Sequence, residues 1–180
     1  MSQARWRNVA LYLHCDRVDG LTRSLPILEC DGVAIVVYRS EQARQAHVAD
    51  EGARRTMKAD ELDTFAQPVA ATSLLVRAKI ERDGPPGEFR LFVFWPASDA
   101  ADRAHDWKPL LTRADAALTH NRPTGGGNQP WASVDELRGS SVETLDALAV
   151  KLHQDRRAIG DEPQFVLTRP VVLHNVPDLS

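Results

Sequence analysis

The most constraining feature of this sequence is a pair of β-rich runs on either side of a segment dense in turn-forming residues. The runs span Ser73 to Glu81 and Glu88 to Trp95, and the segment between them reads Arg82-Asp-Gly-Pro-Pro-Gly87. Glycine and proline favour chain reversal, so the pattern predicts an antiparallel hairpin. Both faces of the second run carry large apolar residues. We therefore expect this run at the centre of a sheet whose two faces are covered.

Further strand patterns lie towards the N-terminus. Apolar residues alternate from Asn8 to His14, which is typical of a half-buried strand. The turn signal Asp31-Gly32 separates Leu25–Leu28 from the apolar run Val33–Tyr38, and this arrangement predicts a second hairpin. Nearly every residue of the second arm is apolar, so we expect it to be a central strand with cover on both faces.

A last strand is predicted from Phe165 to Leu173. Pro170 lies inside this run and cannot donate a backbone hydrogen bond to a neighbouring strand. Its presence predicts that the strand lies at an edge of the sheet or contains a bulge.

Helical patterns fill most of the remaining chain. Ser40 caps a predicted helix that runs to about Lys58 and is largely solvated, and Asp60 caps a shorter helix. Helical composition returns from Ser98 to about Thr119. Two capping-box patterns follow, Ser133 with Glu136 and Ser140 with Glu143. The second box introduces a helix that ends near Gly160, with an apolar stripe of Val142, Leu145, Leu148, Ala149 and Leu152.

The totals agree with a folded globular protein. The chain of 180 residues is 43% hydrophobic and 26% charged, which is ordinary for one domain with its own core. We therefore predict a single α+β domain over residues 1–180. Its sheet is expected to be mainly antiparallel, with a mixed sheet as the alternative, and helices pack against it.

Charge and cysteine content indicate which compartment and partners to expect. The formal net charge of −3 gives no broad cationic field, so we do not expect nucleic acid as a partner. The N-terminus lacks the apolar stretch of a signal peptide, and no apolar segment is long enough to span a membrane. Two cysteines, Cys15 and Cys30, are expected as reduced thiols. These features together predict a cytoplasmic protein.

Three residues are the candidates for a catalytic site. His14 and Asp16 lie where the first predicted strand leaves the sheet, and His174 ends the last predicted strand. These histidines would meet only if the two strands were parallel neighbours. The histidine spacings match no metal-binding motif, and the glycine-rich segment lacks the lysine of a phosphate loop, so no metal and no cofactor is predicted.

The segment from Arg122 to Trp131 is predicted to be a loop, since three glycines and two prolines interrupt all periodicity. Within it, Asn128, Gln129 and Trp131 combine polar donors with an aromatic ring suited to protein interfaces. They are the predicted binding residues. The oligomeric state remains open.

Three functional hypotheses follow. The first is a non-enzymatic protein-binding module, either an inhibitor or immunity-type protein or a subunit of a larger assembly. The second is a small hydrolase-like enzyme that uses His14, Asp16 and His174. The third is a ligand-binding protein with a pocket near Trp95, Trp107 and Trp131.

Overall fold

A computed structural model describes residues 6–52, 55, 73–96, 107–111, 114–124, 131–157 and 162–176. It shows an α+β chain built mainly on one antiparallel sheet of seven strands. None of the helices in this described part is long and apolar enough to cross a membrane.

The strands follow the chain in the order β1 (Val9–Arg17), β2 (Gly32–Tyr38), β3 (Val76–Arg82), β4 (Phe89–Pro96), β5 (Ala116–Pro123), β6 (Trp131–Gly139) and β7 (Gln164–Asn175). In the sheet they lie in the order β2-β1-β7-β4-β6-β5-β3. Strand β6 pairs antiparallel with β4 and β5, β4 also pairs antiparallel with β7, and β5 also pairs antiparallel with β3. The parallel contact of Ile27 with Phe165 is an isolated bridge outside these strands.

Three helices lie in the described ranges: α1 (Glu41–Ala49), α2 (Lys108–Leu111) and α3 (Val142–Arg157). Ser40 caps α1, since its hydroxyl accepts a hydrogen bond from the Ala43 amide at 3.0 Å, as the sequence predicts. No residue of α1 is buried, which confirms a solvated helix. Helix α3 is capped by Ser141, one residue later than predicted, because the Thr144 amide donates to its hydroxyl.

The chain divides into two compact units. The first contains Met1–His14, Ala34–Leu74 and Val171–Ser180, and the second contains Cys15–Val33 and Leu75–Pro170. Strands β1, β2 and β7 each contribute residues to both units, whereas β3 to β6 and α3 belong to the second unit.

The core of the second unit lies between α3 and one face of the sheet. Leu145, Leu148 and Leu152 of α3 are buried in one hydrophobic cluster with residues of β4, β5, β6 and β7. The apolar stripe of α3 therefore faces the sheet, as its spacing predicts. Phe92 and Phe94 point to the other face of β4 and are also buried, so both faces of β4 are covered, again as predicted.

The predicted hairpin between the two β-rich runs is wrong, although both runs are strands. Strand β3 pairs with β5, and β4 pairs with β6 and β7. The turn-rich connection between β3 and β4 passes over the ends of β5 and β6, which lie between these two strands in the sheet. A Cβ on Gly84 would lie 3.1 Å from Ala117 of β5, and one on Gly87 would lie 2.7 Å from the Gly139 amide of β6. Gly87 also has a φ of +70°, which favours glycine.

The predicted hairpin of Leu25–Leu28 with Val33–Tyr38 is also wrong, and the second arm is not central. Strand β2 ends the described sheet and has β1 as its one neighbour there. Val36 and Val37 remain 44% and 43% exposed. The apolar sequence of β2 predicts that other residues pack on both of its faces. Within the described part of the chain, several of its side chains remain exposed instead.

The helix predicted over Ser98 to Thr119 is contradicted at its end, where residues 116–119 belong to β5, whereas Lys108–Leu111 within the same range form α2. Residues 97–106 lie outside the described ranges, as do residues 56–72 with the predicted Asp60 helix. The capping box of Ser133 and Glu136 is wrong because both residues lie in β6. The predicted loop begins later than Arg122, since β5 continues to Pro123.

Strand β7 lies between β1 and β4, so it is not an edge strand along its whole length. The β4 pairing covers Gln164 to Thr168 only. Pro170 lies beyond this pairing, where its missing amide hydrogen breaks no bond to β4. The predicted edge position is thus wrong for the first half of β7, which lies between β1 and β4. It describes only the second half, which contains Pro170 and lies beyond the pairing with β4.

We expect Leu148→Ala to lower the free energy of unfolding by ~2–5 kcal/mol, because it removes a buried side chain and leaves a cavity beneath α3. Denaturant unfolding of both proteins measures this change. Val150→Ala in the same helix is the control at a partly buried position and should have a smaller effect. A loss below about 1 kcal/mol for Leu148→Ala would place its side chain outside the core.

Candidate functional site

Of the predicted catalytic residues, His14 and Asp16 lie two residues apart on β1, and His174 does not lie beside His14. The Val18 amide donates to Leu167 O and the Val176 amide donates to Ala10 O, which is the pattern of antiparallel neighbours. His174 therefore lies beside the start of β1, with its Nε2 3.2 Å from Val9 O and its ring stacked on Trp6 at 5.0 Å. His14 lies five residues further along β1.

His14 and Asp16 are both exposed on β1, and Cys15 between them is buried. The carbonyl of Val9 can only accept, so Nε2 of His174 donates to it and the imidazole serves to fasten the strand. The structure thus does not assemble a site from His14, Asp16 and His174.

The predicted binding loop is described only in part. Asn128 and Gln129 lie outside the described residues. Trp131 begins β6, is half-buried, and packs on Phe94 with ring centroids 5.4 Å apart. Trp95 follows Phe94 in β4 and points to the opposite face, so Trp131 does not share a pocket wall with Trp95.

The most elaborate polar site surrounds the Asp135 carboxylate on β6. Trp95 Nε1 donates to Asp135 Oδ2 at 2.8 Å, and Trp107 Nε1 donates to the same oxygen at 2.6 Å. His120 Nδ1 lies 2.5 Å from the other oxygen, Oδ1. Asp135 is 3% exposed. A buried carboxylate is tolerated where several donors satisfy it, and here three side chains do so.

Strand geometry explains this convergence. Asp135 lies directly opposite Val93 on β4 and His120 on β5, so these side chains share the face that α3 covers. Trp95 is two residues further along β4 on the same face. Arg156 of α3 lies over the Trp95 ring, with its guanidinium carbon 5.2 Å from the centroid. The Asp135 site thus joins β4, β5, β6 and the Trp107 segment, with α3 above it.

The Asp135 site has part of the geometry of a catalytic base. A carboxylate that accepts from Nδ1 fixes the histidine tautomer and leaves Nε2 as the basic nitrogen. Nucleophilic catalysis also needs a hydroxyl or thiol within reach of Nε2. Within the described ranges no hydroxyl or thiol contacts His120. Among the same residues no cluster of three or more histidine, cysteine or acidic side chains is placed to hold a metal ion.

A second polar cluster lies on the opposite face of the sheet. Arg90 and Glu136 form a largely buried ion pair across β4 and β6, and the Thr168 hydroxyl donates to Arg90 O at 3.2 Å. Cys15 is fully buried beside these groups. Desolvation by burial raises the pKa of the Cys15 thiol to about 11, although the positive charge of Arg90 opposes the shift.

We expect Asp135→Asn to lower the free energy of unfolding by about 1–3 kcal/mol, since it removes the charge from the acceptor of both indoles and puts an NH2 donor where Oδ1 accepts from His120. Denaturant unfolding followed by tryptophan fluorescence measures this change. Asp155→Asn removes an exposed ion pair with Lys151 and is the matched control, with an expected change below about 0.5 kcal/mol. An Asp135 variant as stable as this control would contradict a structural role for the Asp135 site.

We also expect Cys15 to resist alkylation in the folded protein at pH 8, because a thiol with a pKa of about 11 carries very little thiolate there. Cys30 is only half-buried and should react first. Mass spectrometry of peptides after a timed iodoacetamide pulse distinguishes the two thiols. Labelling of Cys15 as fast as in the unfolded chain would contradict its burial.

Comparisons of the chain with protein-family models, with curated proteins and with solved structures find no match.

Proposed function

We propose that this chain is a non-enzymatic protein-binding module that receives an extended strand of a protein partner at the outer edge of β2, where the described sheet has no further strand. The observation that carries the proposal is the composition of β2 at that position. Its sequence, Gly-Val-Ala-Ile-Val-Val-Tyr, contains no charged residue and no proline.

An edge strand of this kind is a hazard in an isolated protein. Its unpaired amides and carbonyls form a template for pairing with another chain, and natural proteins usually block such edges with charges, proline or bulges. The opposite edge of this sheet follows that rule. Strand β3 reads Val-Arg-Ala-Lys-Ile-Glu-Arg, so four of its seven residues are charged. One edge is therefore protected by charge and the other is not.

The backbone of β2 is oriented for strand addition. The Arg39 amide donates to Asn8 O at 3.0 Å, and the Arg17 amide donates to Asp31 O at 2.8 Å. Both ends of β2 thus direct their odd-numbered residues towards β1. Because hydrogen-bonding direction alternates along a strand, the even-numbered residues Ala34 and Val36 direct their amides and carbonyls outwards.

Exposed apolar side chains accompany this edge. Ala34, Val36 and Val37 of β2 are exposed, and so are Val171, Val172 and Leu173 of β7. Successive residues of a strand point to opposite faces, so these exposed side chains leave apolar groups on both faces of the strands that flank β1. Strand addition supplies affinity through the backbone and specificity through these side chains.

The proposal moves the binding surface from the glycine-rich segment to the sheet edge. Trp131 is half-buried against Phe94 and so offers less free surface than β2. Both versions of the first hypothesis, an inhibitor and a subunit of an assembly, are compatible with strand addition at this edge. The small-enzyme hypothesis has less support because His14, Asp16 and His174 are not assembled.

We expect Val36→Lys to weaken binding of the native partner about tenfold or more, because it places a charge on the edge that the partner strand must cover. The partner is first recovered with the full chain by affinity purification, and its dissociation constant is measured by calorimetry. Ile80→Lys, at the exposed Ile80 of the other edge strand, is the matched control and should bind normally.

Hydrogen exchange supplies a direct readout of the same proposal. The amides of Ala34 and Val36 should exchange rapidly in the free protein and slowly in the complex. A complex in which both amides stay unprotected, or one that tolerates Val36→Lys as well as Ile80→Lys, would overturn strand addition at β2.

A further inference from the structure

We propose that the strand added to β2 is β2 of a second copy of this chain, paired antiparallel about a twofold axis at Ile35. This inference rests on the proposed function, since it uses the same outer edge of β2 and names its occupant.

The backbone directions of β2 are compatible with this symmetric pairing. A twofold axis at Ile35 places Ala34 opposite Val36 of the other copy and Gly32 opposite Tyr38. All four of these residues are even-numbered, so their backbone groups point away from β1; the Gly32 amide already donates to the Cys30 side chain, which leaves the exchange of both bonds to the pair of Ala34 and Val36. Residues that face each other with outward groups exchange both backbone hydrogen bonds.

The side chains of β2 are also self-complementary in this register. Val33 meets Val37, Ala34 meets Val36, and Ile35 meets itself, so only apolar side chains face one another in the middle of the junction. Gly32 meets Tyr38, and an aromatic ring over a cross-strand glycine covers backbone that the glycine leaves open.

Charges complete the match at the two ends. Asp31 directly precedes β2 and Arg39 directly follows it. Both are exposed, and among the described residues neither side chain forms a hydrogen bond or an ion pair. The axis at Ile35 places Asp31 of each copy opposite Arg39 of the other. Opposite charges at facing positions stabilise a strand pair, whereas like charges destabilise it.

Neighbouring registers lack this match. An axis at Ala34 places Asp31 opposite Val37, so the carboxylate faces an apolar side chain. An axis at Val36 places Arg39 opposite Val33 and leaves Asp31 beyond the end of the other copy's β2, since residue 41 belongs to α1. Only the axis at Ile35 combines full overlap of β2 with charge complementarity at both ends.

Charge exchange tests the inference. In Asp31→Arg, an arginine faces Arg39 at both ends of the junction, and in Arg39→Asp an aspartate faces Asp31. Each variant alone should dimerise about tenfold more weakly than the unchanged chain. An equal mixture of the two variants places an acid opposite a base at both ends and should form heterodimers. The doubly exchanged variant, D31R with R39D, should dimerise with itself.

Sedimentation equilibrium over a concentration series measures the dimer dissociation constants. Native mass spectrometry of a mixture with one isotope-labelled variant counts the heterodimers. Circular dichroism verifies that each variant is folded. Restored association in the mixture is a readout that a local folding defect would not produce.

The outcomes separate this inference from the proposed function. A chain that stays monomeric at all concentrations, or a mixture that associates no better than its components, would overturn the self-pairing. If a different protein then binds with protection of Ala34 and Val36, the proposed function stands and its partner is that protein. A monomer whose β2 amides are unprotected in every complex would overturn both. A dimer with unprotected β2 amides would overturn self-pairing through this edge.

Discussion

The hydrogen bonds to the Asp135 carboxylate are the interaction on which the second unit most depends. Three strands and the segment before α2 meet at this group, because Trp95, Trp107 and His120 all reach it. A buried carboxylate needs such donors, and the indoles would in turn be buried donors without an acceptor if the carboxylate were absent. The contact therefore fixes the relative positions of β4, β5 and β6 more specifically than the surrounding apolar packing does.

Local sequence patterns predict several elements of this fold but not the pairing of its strands. The runs before and after Asp83-Gly-Pro-Pro-Gly87 are strands, but β5 and β6 lie between them. Nothing in either run identifies its neighbour, because β-pairing depends on residues that are distant in sequence. The strand β5 resembles a helix since Ala114 and Leu118 continue the spacing of Leu110 and Leu111. Ser133 and Glu136 imitate a capping box within β6.

No sequence motif predicts the Asp135 site, because its residues are also distant from one another in the sequence. Its four residues are scattered between positions 95 and 135 and match no spacing of a catalytic or metal-binding motif. One signal is present in the sequence. Asp135 alternates with Leu137 along β6, so an acid occupies a position where strand periodicity requires an apolar residue. The acid can be identified as buried only after Trp131–Gly139 is recognised as a strand.

The two edge strands of the described sheet differ in charge: β3 is rich in charged residues and β2 has none. Stability alone does not require charge on β3 or its absence from β2, since both strands have only one neighbour in the described sheet. The apolar composition of β2 predicts a central strand with cover on both faces, whereas β2 has one neighbouring strand in the described sheet and Val36 and Val37 are exposed. Within the described residues the outer edge of β2 has no neighbouring strand, and under the proposed function a strand of another chain takes that place. The acid at one end of β2 and the base at the other, Asp31 and Arg39, make a second copy of the chain compatible with that place.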